Sequence, residues 1–121
     1  MEKSRSYKDL IVWQKSIQII THIYSVTKTF PKDEIYGLIS QIRRASVSIA
    51  ANISEGQSRN SVGEFIQFLW IAEGSLGELE TLLIISENVW YIEKEENTKL
   101  IEDLAEIKRL ILALKRSIKN P

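Results

Sequence analysis

The side chains best suited to chemistry in this sequence of 121 residues are one histidine, several serines and sixteen carboxylates. His22 has Gln18 and Val26 one helical turn away, so no carboxylate on its helix lies at the spacing of a shared metal site. No Gly-x-Ser-x-Gly segment marks a nucleophilic serine, and the chain has no cysteine. We therefore expect a protein that is not an enzyme, with no catalytic residue, no metal, no cofactor and no small-molecule substrate.

The charges are balanced overall but unevenly distributed. Sixteen basic residues match sixteen acidic ones, so there is no bulk attraction to nucleic acid or anionic lipid. Residues 60–107 carry eleven carboxylates and two lysines, whereas residues 108–121 carry five cations and no acid. Such patches can steer a partner or pair with another subunit.

The polar link from Gly56 to Ser61 is the segment that most resembles a binding site. Arg59 lies just before a predicted helix N-terminus, whose free amides attract anions, and we expect Arg43 and Arg44 on the same side of the molecule. Two interpretations of these arginines are open. They contact phosphates, or they are surface residues that are solvated or form ion pairs with the acidic face of another subunit. Basic residues near the C-terminus extend the candidate nucleic-acid contacts, which are Arg43, Arg44, Arg59, Lys115 and Arg116.

Four amphipathic segments must position these residues. Apolar side chains recur at three- and four-residue steps, and Pro31, Gly56 and a Ser61–Glu64 capping box separate the segments. The pattern predicts helices over about 7–29, 33–56, 62–88 and 97–117. Helices of this length with short links predict one all-α domain over residues 1–121, an antiparallel up-down-up-down four-helix bundle.

Two apolar stripes run along the first predicted helix and two along the third. On the first helix we expect Leu10, Trp13, Ile17, Ile20 and Tyr24 to face the core, with Val12, Ile19, Ile23 and Val26 as the second stripe. On the third helix we expect the core stripe to be Phe65, Phe68, Leu69, Ala72, Leu76, Leu79 and Leu83.

The second stripes predict self-association, because left in water they would form a large apolar patch. Gly74 and Gly77 each lower the stability of a helix by about 1 kcal/mol relative to alanine. Close approach of a neighbouring helix would compensate for this loss. The predicted subunit contacts of a homo-oligomer are Ile19, Ile23, Val47, Ile66, Trp70, Gly74, Gly77 and Ile84.

We expect a cytoplasmic protein with no membrane partner. No apolar run approaches the roughly 20 residues that span a bilayer, and the N-terminal segment lacks the apolar core of a secretion signal. The absence of cysteine is compatible with a reducing compartment.

Three stretches closely resemble the 23S rRNA-intervening-sequence protein family: VWQKS (12–16), IYSVTKTFPKDEIYGLISQIRRASVSIAANISEGQSR (23–59) and SVGEFIQFLWIAEGSLGELET (61–81). The resemblance implies an antiparallel four-helix bundle that assembles into a ring, commonly a pentamer, with no established catalytic residue. It also implies that the protein is related to the accessory proteins of diversity-generating retroelements. In that branch of the family a basic pentamer contacts nucleic acid and a reverse transcriptase. The chain departs from the family pattern at Ala50, where proline is usual, and from that branch in its zero net charge.

Two functional hypotheses follow. The first is a non-enzymatic, ring-forming bundle that binds structured RNA or a ribonucleoprotein. In this hypothesis Arg43, Arg44 and Arg59 contact phosphates. The alternative is a protein-interaction scaffold or assembly subunit with no nucleic-acid role, in which the same charges serve subunit contacts.

Overall fold

Four long helices make up the computed structural model, which describes residues 6–119. They are α1 (Ile11–Thr27), α2 (Leu38–Gln57), α3 (Val62–Asn88) and α4 (Lys94–Lys119). Short 3₁₀ turns, Tyr7–Asp9 and Lys32–Glu34, precede α1 and α2. Residues 1–5 and 120–121, at the two ends of the predicted domain, lie outside the described residues.

The helices pack as a four-membered bundle in which each helix contacts the next along the chain and α4 closes against α1. No strand occurs among residues 6–119, and the all-α four-helix-bundle prediction is confirmed. The core is built almost entirely of isoleucine and leucine from the facing sides. Its fully buried members include Ile23, Ile42, Ile53, Leu69, Leu79, Leu83, Leu100, Ile107 and Ile111.

The core side of α1 differs from the predicted one. Val12, Ile23 and Val26 are buried, whereas Ile17 and Tyr24 are exposed, so the stripe expected to lie second is the one that faces the core. Two buried hydroxyl residues interrupt the apolar spacing of that stripe. Ser16 and Thr27 donate to main-chain carbonyls of their own helix at 2.8 Å, which allows them to be buried.

The helix boundaries differ from the predicted ones by two or more residues at both ends of α1, at the start of α2 and at both ends of α4. Leu10 has an extended backbone and separates the first 3₁₀ turn from α1, so α1 starts at Ile11 rather than Tyr7 and ends at Thr27 rather than Thr29. The acidic segment predicted as a turn forms the start of α4 at Lys94, where its carboxylates favour the positive end of the helix dipole.

The helix α2 begins at Leu38 and not near residue 33. Glu34 lies before the helix and fixes its first residue. One carboxylate oxygen of Glu34 accepts the Leu38 amide proton at 3.0 Å, and the other accepts the Tyr91 hydroxyl proton at 3.0 Å. The Tyr91 ring also packs on Phe30 with centroids 5.4 Å apart. The link between α1 and α2 is thereby joined to the link between α3 and α4.

The α2–α3 pair is held at very short range by Gly56. A methyl group added to Gly56 would lie 2.8 Å from the Phe68 Cβ and 3.0 Å from the Phe65 ring. Farther along the pair, the Ser48 and Ser75 hydroxyls are hydrogen-bonded at 2.8 Å. Ser61 begins α3 by accepting the Glu64 amide proton, and its own hydroxyl contacts the Glu64 carboxylate at 3.2 Å.

Gly56→Ala should lower the free energy of unfolding by about 1–3 kcal/mol, because the new methyl group overlaps the Cβ of a neighbouring helix residue. Chemical denaturation measures the change. The matched control is Gly63→Ala in α3, where nothing lies within 4 Å of the added methyl group. Equal stability of Gly56→Ala and the wild type would contradict the close α2–α3 approach.

Tyr91→Phe should make stability less sensitive to alkaline pH. The Glu34 hydrogen bond, then burial and the nearby negative charges of Glu34 and Asp33, raise the pKa of Tyr91 above its ordinary value of about 10. Since the folded chain holds this proton more tightly, the contribution is complete below pH 10 and is lost as the pH rises through the folded-state pKa. Denaturation at several alkaline pH values should show a steeper decline for the wild type than for Tyr91→Phe, and parallel declines would contradict the assignment.

Candidate nucleic-acid and assembly surfaces

Arg43 joins α2 to the C-terminal end of α1. Its Nε donates to the Thr27 hydroxyl at 2.9 Å, and its Nη2 donates to the Tyr24 carbonyl at 3.2 Å. The guanidinium also lies 4.5 Å from the centroid of the Tyr24 ring. Cations near the last turn of a helix neutralise its free carbonyls. Arg43 is therefore committed to the fold rather than free to contact a ligand.

Arg59 is held locally at the turn between α2 and α3. Its Nη2 lies 2.7 Å from a carboxylate oxygen of Glu55, and its guanidinium lies 5.0 Å from the Phe68 ring centroid. Both side chains of the ion pair remain about half exposed. A phosphate at this point would have to compete with Glu55.

Lys115 bridges α4 and α3. Its ammonium pairs with Glu73 at 2.5 Å and lies 5.6 Å from the Trp70 ring centroid, in a largely buried setting. Arg44 and Arg116 are exposed. Among residues 6–119 neither of these two forms an ion pair or side-chain hydrogen bond. Of the five predicted nucleic-acid contacts, only these two have a free cationic group.

The predicted basic residues do not form one site. Arg43 and Arg59 are sixteen positions apart along α2 and its C-terminal turn, which corresponds to roughly 24 Å at the α-helical rise of 1.5 Å per residue. Arg43 therefore lies towards the end of the bundle where α2 starts. Arg59 lies at the opposite end, together with the last turns of α4. Arg43 and Arg44 are therefore too far from Arg59 along the bundle axis to contact one phosphate together. The expectation that the three arginines share one side of the molecule stays a prediction.

A better-defined group of free cations lies on the C-terminal half of α4. Arg109 and Arg116 are seven residues apart and so occupy the same side of the helix, and Lys108 and Lys119 lie beside them. All four are exposed, and no ion pair among the described residues involves them. The signal in the sequence was the acid-free segment after residue 107. We call Lys108, Arg109, Arg116 and Lys119 the α4 basic strip.

The outward side of α3 presents a long uncharged surface. Eight exposed residues follow alternating steps of four and three, a spacing that keeps them in line when two helices pack together. Nothing lies within 4 Å of a methyl group built on Gly74 or Gly77, and Trp70 is 60% exposed. We call this surface the α3 outer seam: Gly63, Gln67, Trp70, Gly74, Gly77, Thr81, Ile84 and Asn88.

The eight predicted subunit-contact residues separate into two groups. Trp70, Gly74, Gly77 and Ile84 belong to the α3 outer seam, and Val47 is exposed on the outward side of α2. The other three face inward. Ile23 is completely buried, Ile66 is nearly so, and Ile19 packs partly buried against the core. The assignment of Ile23 and Ile66 to a subunit contact is corrected, because the chain's own helices cover them. Ile19 remains partly exposed, and its assignment stays a prediction.

The single histidine faces an acid from another helix. Its Nε2 lies 3.5 Å from a carboxylate oxygen of Glu96 at the start of α4, and both side chains are about half exposed. Beside it, Lys15 pairs with Glu106 at 3.4 Å across the same α1–α4 groove. Within residues 6–119, no three histidine or acidic side chains converge closely enough to hold a metal ion. Over the same range, no helix has the length and apolarity needed to cross a bilayer.

The fold and the sequence of this chain match a known protein family. The sequence pattern of the 23S rRNA-intervening sequence protein family matches residues 8–113. This chain belongs to that family. A crystal structure of an S23 ribosomal protein family member from Bacteroides thetaiotaomicron, described as a protein of unknown function, is similar, with a TM-score of 0.80 and 28% identity. The match covers 87% of this chain and 98% of that one. No curated protein is significantly similar to this 23S rRNA-intervening sequence protein.

Arg43→Ala should lower the free energy of unfolding by about 1–2 kcal/mol, because it leaves the Thr27 and Tyr24 acceptors without their charged donor. The neighbouring exposed substitution Arg44→Ala is the matched control and should change stability by less than about 0.5 kcal/mol. Thermal and chemical denaturation give both values. Similar effects of the two substitutions would contradict the structural role assigned to Arg43.

Proposed function

We propose that this protein is a cytoplasmic, non-catalytic assembly subunit that self-associates through the α3 outer seam. The observation that carries the proposal is the seam itself, in which eight exposed positions over a 27-residue helix include no charge. An exposed helix face normally carries charged residues, and this one combines an exposed tryptophan with glycines. Two glycines at which an added methyl group would contact nothing within 4 Å weaken α3, and close contact with another copy would offset that cost.

A second face supports a ring rather than a closed pair. The outward side of α2 follows the same four-and-three spacing with mostly small residues and a single charge, on Arg44. Two different self-association faces on one chain favour head-to-tail contacts, and such contacts close into a ring when the rotation between copies permits. The family resemblance implies five copies. The residues of this α2 face are Ser40, Arg44, Val47, Ala51, Ser54 and Ser58.

Gly77→Glu should disrupt the assembly without unfolding the bundle. The substitution places a carboxylate in the middle of the α3 outer seam, and the open space at Gly77 and the better helix propensity of glutamate preserve α3. Sedimentation velocity should give a multiple of the 13.9 kDa chain mass for the wild type and the single-chain mass for Gly77→Glu. Thr98→Glu adds the same charge to an exposed position of α4 and should leave the assembly unchanged.

Two results would contradict assembly through the seam. One is a wild-type protein that sediments as a single chain at every concentration. The other is a Gly77→Glu protein that keeps the wild-type mass. Circular dichroism of both variants separates loss of assembly from loss of fold.

RNA association is the second candidate function, and the α4 basic strip favours it. Four exposed cations that form no ion pair within residues 6–119 lie on one side of a helix, where they can contact successive phosphates. The family description, which refers to an intervening sequence of 23S rRNA, supports a role near ribosomal RNA. Of the residues first predicted for this role, Arg116 belongs to the strip. Arg43, Arg59 and Lys115 already have partners within the chain.

Neutralising Arg109, Arg116 and Lys119 with glutamine should weaken binding to structured RNA and reduce its dependence on salt. Fluorescence anisotropy at low and near-physiological salt measures both effects, and Arg44→Gln serves as the cation control away from the strip. Each lost phosphate contact should reduce the slope of log affinity against log salt by about 1. Equal slopes for the wild type and the triple variant would contradict phosphate contacts by the strip.

A further inference from the structure

The C-terminal end of α3 places a tryptophan where glycine is expected. The Tyr91 amide donates to the Ser86 carbonyl at 2.9 Å, and the Trp90 amide donates to the Glu87 carbonyl at 3.0 Å, which together form a Schellman cap. This cap requires a left-handed backbone, and Trp90 adopts it with φ of 69°. Among residues 6–119, Trp90 is the one residue other than glycine with positive φ. A side chain is disfavoured in this conformation, so glycine would satisfy the cap at lower cost.

The fold gains little packing in return for this tryptophan. Trp90 is 91% exposed, so its indole ring is almost entirely in water. The neighbouring Tyr91 and Ile92, by contrast, pack onto the core. A large aromatic ring at a strained and unpacked position indicates a role outside the folding of the isolated chain.

The surroundings of Trp90 are concave and acidic. A depression of about 890 Å³ lies beside the ring, and Tyr91 and Ile92 are part of its lining. Its charged lining residues are three carboxylates and one lysine: Glu87, Glu93, Glu96 and Lys94. The two links at this end of the bundle and their flanking turns, residues 27–37 and 87–96, carry twice as many carboxylates as lysines. The carboxylates are Asp33, Glu34, Glu87, Glu93, Glu95 and Glu96, and the lysines are Lys28, Lys32 and Lys94.

An aromatic ring beside carboxylates is complementary to arginine. The guanidinium group stacks on the face of an indole ring and pairs with carboxylates through its N–H groups. Glu93 is exposed beside the ring, and within residues 6–119 its carboxylate forms no ion pair. An acidic or neutral partner would gain neither interaction.

We propose that Trp90 and the adjacent acidic depression are a docking site for an arginine-rich segment of a partner protein. The site is at the opposite end of α3 from Gly63, and it requires neither self-association nor RNA binding by the rest of the chain. Trp90 provides the aromatic surface and Glu93 a counter-charge. The proposal explains why the α3 cap carries a tryptophan that the fold itself does not need.

The test uses a fluorescein-labelled peptide of alternating arginine and glycine, titrated with the full chain and followed by anisotropy. Trp90→Gly should weaken binding by about threefold or more, through loss of the cation–π contact. It should also raise the melting temperature, because the cap then has its preferred residue. Trp90→Asn, which also tolerates positive φ, is a second variant with the same expected loss of binding.

Matched controls separate the site from general attraction between charges. Ile71→Ala alters an exposed hydrophobic residue of α3 that is not part of the α3 outer seam and should bind like the wild type. Glu93→Gln should weaken binding, whereas Glu64→Gln at the other end of α3 should not. A peptide of alternating serine and glycine should not bind.

Several results would each overturn the proposal. These are no binding of the arginine peptide by the wild type, equal binding by the wild type and Trp90→Gly, and equal losses from Trp90→Gly and Ile71→Ala. A lower melting temperature for Trp90→Gly would do so as well, because it would show that the indole stabilises the isolated fold.

Discussion

The short distance between α2 and α3 is the constraint on which the arrangement of the molecule depends. Gly56 leaves no room for even a methyl group against Phe68, and the Ser48–Ser75 hydrogen bond holds the same two helices farther along. These two contacts fix both the distance between α2 and α3 and the rotation of α3 about its own axis. They therefore determine which side of α3 is buried. Its outer seam must then point away from the bundle. The surface proposed for assembly is therefore a consequence of how the core packs.

Charge in this protein serves two separable purposes. Arg43 and Lys115 connect neighbouring helices, and both make contacts that a ligand would have to break. The α4 basic strip lies on the C-terminal half of α4, whereas carboxylates outnumber lysines at the end that carries Trp90. A chain with zero net charge thus has two ends of opposite character, and this polarity permits different partners at each end.

Periodicity predicted the all-α architecture, since buried positions on α2, α3 and α4 follow the regular spacing of apolar residues. It failed on α1, because Ser16 and Thr27 sit within the buried stripe and satisfy their hydroxyls on their own helix. The sequence pattern predicted that Arg43 lies on α2. Its hydrogen-bond acceptors on α1 depend on tertiary packing, which the pattern does not contain. The exposure of Trp90 follows from a left-handed cap that no apolar pattern encodes.

Protection of the α3 outer seam from solvent tests the central claim most directly. The chain has no cysteine, so Thr81→Cys in the seam and Thr98→Cys on α4 each provide a single thiol. A bulky maleimide should modify the Thr81→Cys thiol about tenfold more slowly in concentrated protein than in dilute protein, because another copy covers it only when chains associate. The Thr98→Cys thiol should react at the same rate in both. Equal rates for the Thr81→Cys thiol at the two concentrations would contradict assembly through this seam.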